Sequence, residues 1–162
     1  MTTPSSSDAS ARPSGGRGSR FLSGSQALFA SAEQRSIADA LDQGLEAVES
    51  GLRVQLHYTD DLADAVSRYL FDAGGKRIRP LLTLLTAHWG DGATDDVVRA
   101  AQVIELTHLA TLYHDDVMDE AIQRRGVTAA QKVWSNSIAI LAGDLLFARA
   151  GSLGVELGQE AM

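Results

Sequence analysis

The sequence predicts an all-α fold, and two observations carry that prediction. Apolar residues recur every three or four positions after about residue 30, and no strand-like alternation of apolar and polar residues is present. The 162 residues suit one domain, and the net charge of −7 argues against nucleic acid, which usually needs a basic face. The absence of cysteine excludes a disulfide framework and cysteine-ligated metals, and it fits a cytoplasmic protein.

The start of the chain differs in composition from the rest. Residues 1–25 are rich in Ser and Gly, carry several arginines and contain one acid, Asp8. Such a segment buries too little apolar surface to offset its chain entropy, so we expect a disordered tail before a domain at 26–162. An organelle transit peptide is the alternative. No signal peptide and no transmembrane segment are expected, because every uncharged apolar run is too short.

The first two helices are predicted from apolar spacing and from their ends. One stripe with steps of three and four residues defines the first helix: Ile37, Leu41, Leu45, Val48, Leu52 and Leu56. Asp60 or Asp61 is expected to cap the second helix, because aspartate is a favoured N-cap. The glycine pair at 74–75 is expected to end it.

Three more helices follow. Pro80 suits the first turn of a third helix that ends near Gly90. Thr94 and the acid after it form an N-cap signal, which predicts a long fourth helix reaching Asp119. A fifth helix is predicted from about residue 137 past 153, with Gly143 inside it.

Three carboxylates lie at the C-terminal end of the long fourth helix. Asp115 and Asp119 are four residues apart and share a face, on which His108 lies two turns earlier, while Asp116 lies to the side. Carboxylates crowded at the negative end of a helix repel each other, so a divalent cation is expected to compensate them. Mg²⁺ fits, because it commonly takes one or two carboxylates together with substrate phosphates. A solvated acidic helix end is the alternative.

Two basic clusters accompany these acids. The turn at 74–80 reads GGKRIRP, and Arg124 and Arg125 follow the acids within six residues. Glycine permits close approach of an anion to the backbone, and arginine and lysine suit phosphate contacts. Acids with separate basic clusters indicate two diphosphates, one held through metal and one by direct contact with cations. Solvated loops are the alternative.

Three blocks of sequence together resemble a known family. They are GGKRIRP at 74–80, ELTHLATLYHDDVMDEAIQRRG at 105–126 and SNSIAILAGDLLFARA at 135–150. In order and spacing they resemble the trans-isoprenyl (polyprenyl) diphosphate synthases over about residues 35–155. The resemblance implies the helical isoprenoid-synthase fold, with only its N-terminal helices present. It also implies a Mg²⁺-dependent prenyltransferase that condenses isopentenyl diphosphate with an allylic diphosphate, and a homodimer when full length.

The resemblance implies roles for individual residues. Those matching the isopentenyl diphosphate site are Lys76, Arg79, His108 and Arg125. Those matching the first aspartate-rich motif, which is catalytic and holds the allylic diphosphate through Mg²⁺, are Asp115, Asp116 and Asp119. Arg124 matches a contact to the allylic diphosphate.

Two small residues bear on product length. In the family, the growing tail runs beside the helix below the first aspartate, where this chain has Ala110 and Thr111. Because small side chains leave room for a long tail, we expect a long-chain all-trans product. Tyr113 is a bulky neighbour that complicates this expectation.

The chain departs from the family in length. Members carry a second aspartate-rich motif on a later helix, and nothing after Asp119 resembles it. We therefore expect a fragment that exposes apolar surface and is inactive alone. A non-catalytic subunit of a heteromeric prenyl diphosphate synthase is an alternative, although such subunits tend to lose the acids. A terpene cyclase is another, although it would not need the GGKRIRP turn.

Overall fold

The computed structural model describes residues 31–158, so the tail expected at 1–25 lies outside the described residues. Six helices and one short hairpin make up the described range, which confirms the all-α class. The helices are α1 (Ala32–Gln55), α2 (Asp61–Asp72), α3 (Ile78–Ala87), α4 (Asp95–Met118), α5 (Ala130–Val133) and α6 (Asn136–Val155). The hairpin strands, β1 (Gln123–Arg124) and β2 (Val127–Thr128), lie between α4 and α5.

Side-chain caps fix most of the helix starts. Asp60 accepts a hydrogen bond from the Ala63 amide over 2.9 Å, and Thr94 does the same for the Val97 amide over 3.3 Å. These two contacts confirm the predicted starts of α2 and α4. The third helix begins at Ile78, two residues before Pro80. It ends at Ala87, and a turn follows it through Gly90, where the sequence predicted the stop.

The core forms around α4, which packs against α1, α3, α5 and α6. Its most extensive interface is with α6. The predicted stripe of α1 is confirmed, since five of its six members are buried: Leu41, Leu45, Val48, Leu52 and Leu56. Because α4 touches four other helices, the side chains along it are held in fixed positions relative to the neighbouring loops.

The hairpin corrects the prediction that the chain has no strands. Gln123 pairs with Thr128, and Arg124 pairs with Val127. The two turn residues, Arg125 and Gly126, both have positive φ angles (53° and 81°), as a type I′ turn requires. Strands of two residues are too short to produce a visible alternation in the sequence.

The last helix, α6, is long and apolar enough to cross a membrane by length and composition alone. Core helices of soluble proteins pass the same criterion, and one third (33%) of its most apolar window is buried inside the protein. The criterion is therefore weak evidence for a membrane span, and Asp144 and Arg149 interrupt the apolar sequence.

Candidate active site

An open groove runs along α4 and brings together two of the predicted substrate-binding residues. Its volume is about 320 Å³, and its lining residues are Arg79, Val103, Ile104, Thr107, His108 and Thr111. Arg79 comes from the first turn of α3 and His108 from the middle of α4. The groove therefore combines cationic and imidazole groups with an apolar wall.

His108 lies in the positive field of several arginines. Burial lowers the pKa of His108 first, and Arg79 and Arg125 lower it further, while Asp115 acts in the opposite direction. These charges all lie close enough to act on one imidazole, so the hairpin, the basic turn and the acid end of α4 converge near it. A partly buried region with this excess of positive charge suits an anionic ligand.

The cationic side chains of the basic turn differ in burial. Lys76 and Arg79 are exposed, whereas Arg77 is only 8% exposed. The guanidinium of Arg77 lies 4.5 Å above the ring centre of Phe71 and donates to the Phe71 carbonyl over 3.3 Å. Arg77 is therefore a structural residue, and Lys76 and Arg79 are the members of the turn that are open to a ligand.

Gly75 lets the turn approach two arginines closely. A Cβ at this position would lie 2.8 Å from Nη1 of Arg77 and 3.1 Å from Cζ of Arg125. The φ angle of Gly75 is 155°, which L side chains rarely adopt. Only glycine fits between the two guanidinium groups without displacing one of them.

Arg125 connects the hairpin to the basic turn. Its Nη1 donates to the Leu70 carbonyl over 2.8 Å and also to the Gly74 carbonyl. Burial is the main cause that lowers the pKa of Arg125, and the field of Arg77 adds to it. In this conformation the guanidinium is largely occupied by the protein, and its contact with isopentenyl diphosphate stays a prediction.

The three aspartates do not share one environment. Asp115 is half-buried and Asp119 is exposed, but Asp116 has no exposed surface. Oδ1 of Asp116 accepts a hydrogen bond from Nε of Arg124 over 2.7 Å, and Oδ2 is buried without a hydrogen-bond partner. The hydrogen bond to Asp116 is the main cause that raises the pKa of Arg124. The residue expected to contact the allylic diphosphate is thus paired with the middle acid.

The acid end of α4 fits a metal that relies partly on its substrate for ligands. Within residues 31–158, no three His, Asp or Glu side chains lie close enough to hold a metal by themselves. Mg²⁺ commonly takes one or two carboxylates and completes its shell with water and phosphate oxygens. Asp115 and Asp119 could supply those carboxylates, and the unpartnered Oδ2 of Asp116 is a further oxygen at the same helix end.

The two residues expected to set product length lie in different places. Thr111 lines the groove, whereas Ala110 is fully buried in the core. Tyr113 is also fully buried, and its hydroxyl donates to the Val66 carbonyl and accepts from the Leu70 amide. Its phenol therefore lies against α2, so it does not line the groove that Thr111 faces.

Sequence reasoning missed two contributors to this region. Glu105 has 2% exposure and lies beside Arg77 and Arg125, and His114 lies against α6, with Nε2 3.1 Å from the Ile140 carbonyl oxygen. Glu105 carried a usable signal, because it lies next to Leu106 and four residues after Ala101, on the buried side of α4. A glutamate on such a face is rarely buried unless it is paired.

Comparisons with known proteins agree with this geometry. The family model described as polyprenyl synthetase matches residues 60–162. The nonaprenyl diphosphate synthase of Mycobacterium tuberculosis is 48% identical over 128 residues, covering 77% of this chain and 38% of the relative. The heptaprenyl diphosphate synthase component 2 of Geobacillus stearothermophilus is 43% identical over 120 residues, covering 73% of this chain and 37% of the relative.

Solved structures match as well. The polyprenyl synthase from Caulobacter crescentus, crystallised with calcium and isoprenyl diphosphate, superposes with a TM-score of 0.69 at 36% identity. The match covers 73% of this chain and 37% of that one. The chain thus spans well under half the length of the relatives it matches. The family match, the sequence identities and the shared helical fold together show that this chain belongs to the polyprenyl synthetase family of trans-prenyl diphosphate synthases.

Proposed function

We propose that this chain provides part of a prenyltransferase that condenses isopentenyl diphosphate with an allylic diphosphate to give a longer all-trans polyprenyl diphosphate. The observation that carries the proposal is the placement of a cation-lined groove and an acid cluster along one helix, α4. Family membership supports the same chemistry. The activity of the whole protein is part of the proposal, since the chain spans only part of its relatives.

The part of the groove formed by Arg79 and His108 is proposed to bind the diphosphate of isopentenyl diphosphate. Arg79 and His108 line the groove, and Lys76 is exposed in the same turn as Arg79, so all three are proposed to donate to a diphosphate. Arginine offers a planar pair of donors to phosphate oxygens, and lysine acts as a point charge. Arg125 contributes by holding the turn in place through its hydrogen bonds to the Leu70 and Gly74 carbonyls.

The acid end of α4 is proposed to bind the allylic diphosphate. Asp115 and Asp119 would hold Mg²⁺, which neutralises charge on the departing diphosphate when it is bound. Arg124, which is held by Asp116, is proposed to contact the same diphosphate. Donors fixed in advance around a leaving group stabilise its developing charge without reorganising during the reaction.

The proposed reaction breaks the allylic carbon–oxygen bond and joins the resulting allylic carbon to the double bond of isopentenyl diphosphate. A proton then leaves the new chain, and the departing diphosphate can accept it. No side chain of this protein is needed as a base. The product is proposed to be long-chain, because Thr111, the lining residue nearest to Asp115 along α4, is small and leaves space there for the growing tail.

The proposed assembly is a homodimer when full length. The outward face of α6 exposes Leu141 (61%) and Val155 (63%). Next to it lies an apolar groove of about 160 Å³ lined by Asp60, Leu62, Ala63, Val66, Ile138, Leu141, Ala142 and Leu145. A second copy would cover this surface. One relative is named as a component of a synthase, which favours a second candidate, a subunit of a heteromeric enzyme.

The test uses the protein expressed from its complete reading frame, with radiolabelled isopentenyl diphosphate, an allylic diphosphate and Mg²⁺. We expect elongated products, and we expect Lys76→Ala to raise the KM for isopentenyl diphosphate steeply. Lys132→Ala removes an exposed lysine outside the groove and serves as the matched control. Turnover of an allylic diphosphate without any need for isopentenyl diphosphate would instead identify a cyclase. The isolated 162-residue chain is expected to be inactive.

A further inference from the structure

Glu105 is a charged residue in the interior of the protein. Its side chain is 2% exposed, and it lies on the face of α4 that is packed against the core. Burying a carboxylate is costly unless cations and hydrogen-bond donors compensate it. Burial raises the pKa of Glu105, and Arg77, Arg125 and Arg79 oppose that shift in this order. The carboxylate therefore lies within the field of three arginines.

Two of these arginines come from separate loops and meet on one oxygen. Nη1 of Arg77, in the basic turn, lies 3.4 Å from Oε1 of Glu105. Nη2 of Arg125, in the hairpin, lies 3.9 Å from the same oxygen. Nη1 of Arg125 also donates to carbonyl oxygens at the end of α2 and in the turn. Glu105 is thus the anionic centre on which the turn and the hairpin converge.

Without the carboxylate of Glu105, the positive charges of Arg77 and Arg125 would repel each other. Arg77 acts on Arg125 in the direction that lowers its pKa, which is the signature of like charges at short range. Both guanidinium groups also pack against Gly75, which has no side chain to separate them. Glu49 lies 3.5 Å from Nε of Arg77, but its side chain is more exposed (29%) than that of Glu105 (2%).

We propose that Glu105 is a positioning residue that locks the basic turn to the hairpin and so presents Lys76 and Arg79 to the diphosphate of isopentenyl diphosphate. This inference rests on the proposed function of the groove. Glu105 does not touch the substrate, because its carboxylate is buried beneath the two arginines. Its effect passes through the turn, whose exposed cations lie on either side of the buried Arg77.

The proposal predicts that removing the charge of Glu105 weakens anion binding, whereas the electrostatic field alone predicts stronger binding. Removing a negative charge near an anion site strengthens anion binding if the field alone matters. Removing it weakens binding if the charge is needed to hold the turn in shape. Glu105→Gln distinguishes the two cases, because it keeps the side-chain volume and removes the charge.

The experiment compares wild type and Glu105→Gln in the full-length protein. We expect the KM for isopentenyl diphosphate to rise about tenfold, equivalent to about 1.4 kcal/mol of lost binding. We expect kcat at saturating isopentenyl diphosphate and the KM for the allylic diphosphate to change much less. Glu105→Asp retains the charge but draws it back from both arginines, so it is expected to raise the same KM by less than Glu105→Gln does. If Glu105→Gln does not fold, an unchanged KM in Glu105→Asp overturns the inference instead.

The control is Leu106→Ala, which removes a fully buried side chain next to Glu105. It is expected to lower thermal stability without shifting the KM for isopentenyl diphosphate selectively. The inference is overturned if Glu105→Gln lowers or does not change that KM, or if Leu106→Ala shifts it equally.

A second measurement separates this inference from the proposed function. Binding of inorganic diphosphate is measured by calorimetry for wild type and Glu105→Gln. If wild type shows no prenyl transfer but binds diphosphate, and the variant binds it about tenfold more weakly, the proposed reaction fails and the role of Glu105 stands. If the two proteins bind diphosphate equally, or neither binds it, the role of Glu105 is wrong.

Discussion

Arg124 and Asp116 join the hairpin to the acid end of α4. Nε of Arg124 lies 2.7 Å from Oδ1 of a carboxylate that has no exposed surface. A charge-assisted hydrogen bond is stronger where water is excluded, so this contact fixes the hairpin relative to the helix. Asp116 therefore has a structural role that its neighbours Asp115 and Asp119 do not share.

Asp116→Ala is expected to destabilise the protein, whereas Asp119→Ala is not. Loss of the Asp116 carboxylate leaves Arg124 without its partner, at a cost of about 1–3 kcal/mol. The cost stays below that of a fully buried pair, because the Arg124 side chain is 32% exposed and water can solvate it. Urea unfolding of both variants measures the difference. Equal stabilities would show that the Arg124–Asp116 contact contributes little.

Gly143→Ala is expected to destabilise the contact between α4 and α6. A Cβ at this position would clash with the ring of His114, whose Nε2 lies 3.3 Å from Asp144. The ring must move and give up its polar contacts, and such overpacking typically costs about 1–3 kcal/mol. The better helix propensity of alanine offsets part of this cost.

Gly151→Ala is the matched control for Gly143→Ala. Gly151 lies in the same helix, but a Cβ there meets no atom within 4 Å. The substitution is therefore expected to stabilise the protein by up to about 1 kcal/mol. Thermal unfolding of both variants measures the two effects, and the double variant His114→Ala/Gly143→Ala should recover stability relative to Gly143→Ala alone. Stabilisation by both single variants would contradict the close contact between His114 and α6.

Five of the six described helices were predictable because each carries its own local signals, whereas α5, a four-residue helix without a side-chain cap, was not predicted. The caps at Asp60 and Thr94 and the stripe of α1 depend only on nearby residues, so the sequence reveals them directly. The hairpin was not predictable by the same reasoning. Its strands are two residues long, and its position depends on a contact between distant segments, the hydrogen bond from the Tyr69 hydroxyl to the Thr128 carbonyl over 2.8 Å.

The groove was predictable only through the resemblance to a family. Periodicity places His108 on one face of α4, but it does not reveal that Arg79 faces the same space. In the basic turn Arg77 is buried and the other two cations are exposed. This difference depends on Phe71 in α2 and on Glu105 in α4, which is 28 residues away from Arg77 in the sequence. Thr111 lines the groove and Ala110 is buried in the core, and this difference likewise depends on how α4 packs against its neighbours.

Thr111→Phe is expected to shorten the product. Thr111 lines the groove beside α4, and a phenyl ring there would occupy space proposed for the growing tail. Tyr113→Phe is the control, because Tyr113 lies against α2 and its hydroxyl bonds to two backbone groups of α2. It is expected to lower stability by about 1 kcal/mol and to leave product length unchanged. Chromatography of the products measures both, and an unchanged chain length in Thr111→Phe would count against the proposed path of the tail.

His108 is expected to make stability depend on pH. Burial first, then Arg79 and Arg125, hold its pKa below the ordinary value of 6.5, so the unfolded chain binds the proton more readily than the folded protein. The contribution of His108 to the free energy of unfolding therefore increases as the pH rises towards about 6.5. The loss of stability is complete once the pH is below the pKa of His108 in the folded protein. The free energy of unfolding of wild type minus that of His108→Gln, measured in urea from pH 5 to 8, isolates this effect.

Inorganic diphosphate provides the second arm of that experiment. An anion beside the imidazole favours its charged form, so bound diphosphate is expected to raise the pKa of His108 and reduce the loss of stability at low pH. His108→Gln should show no such change in its pH dependence. If the free energy of unfolding of wild type minus that of His108→Gln falls as the pH rises, the lowered pKa of His108 is contradicted. If diphosphate does not change the pH dependence of wild type, His108 is not a ligand of the anion.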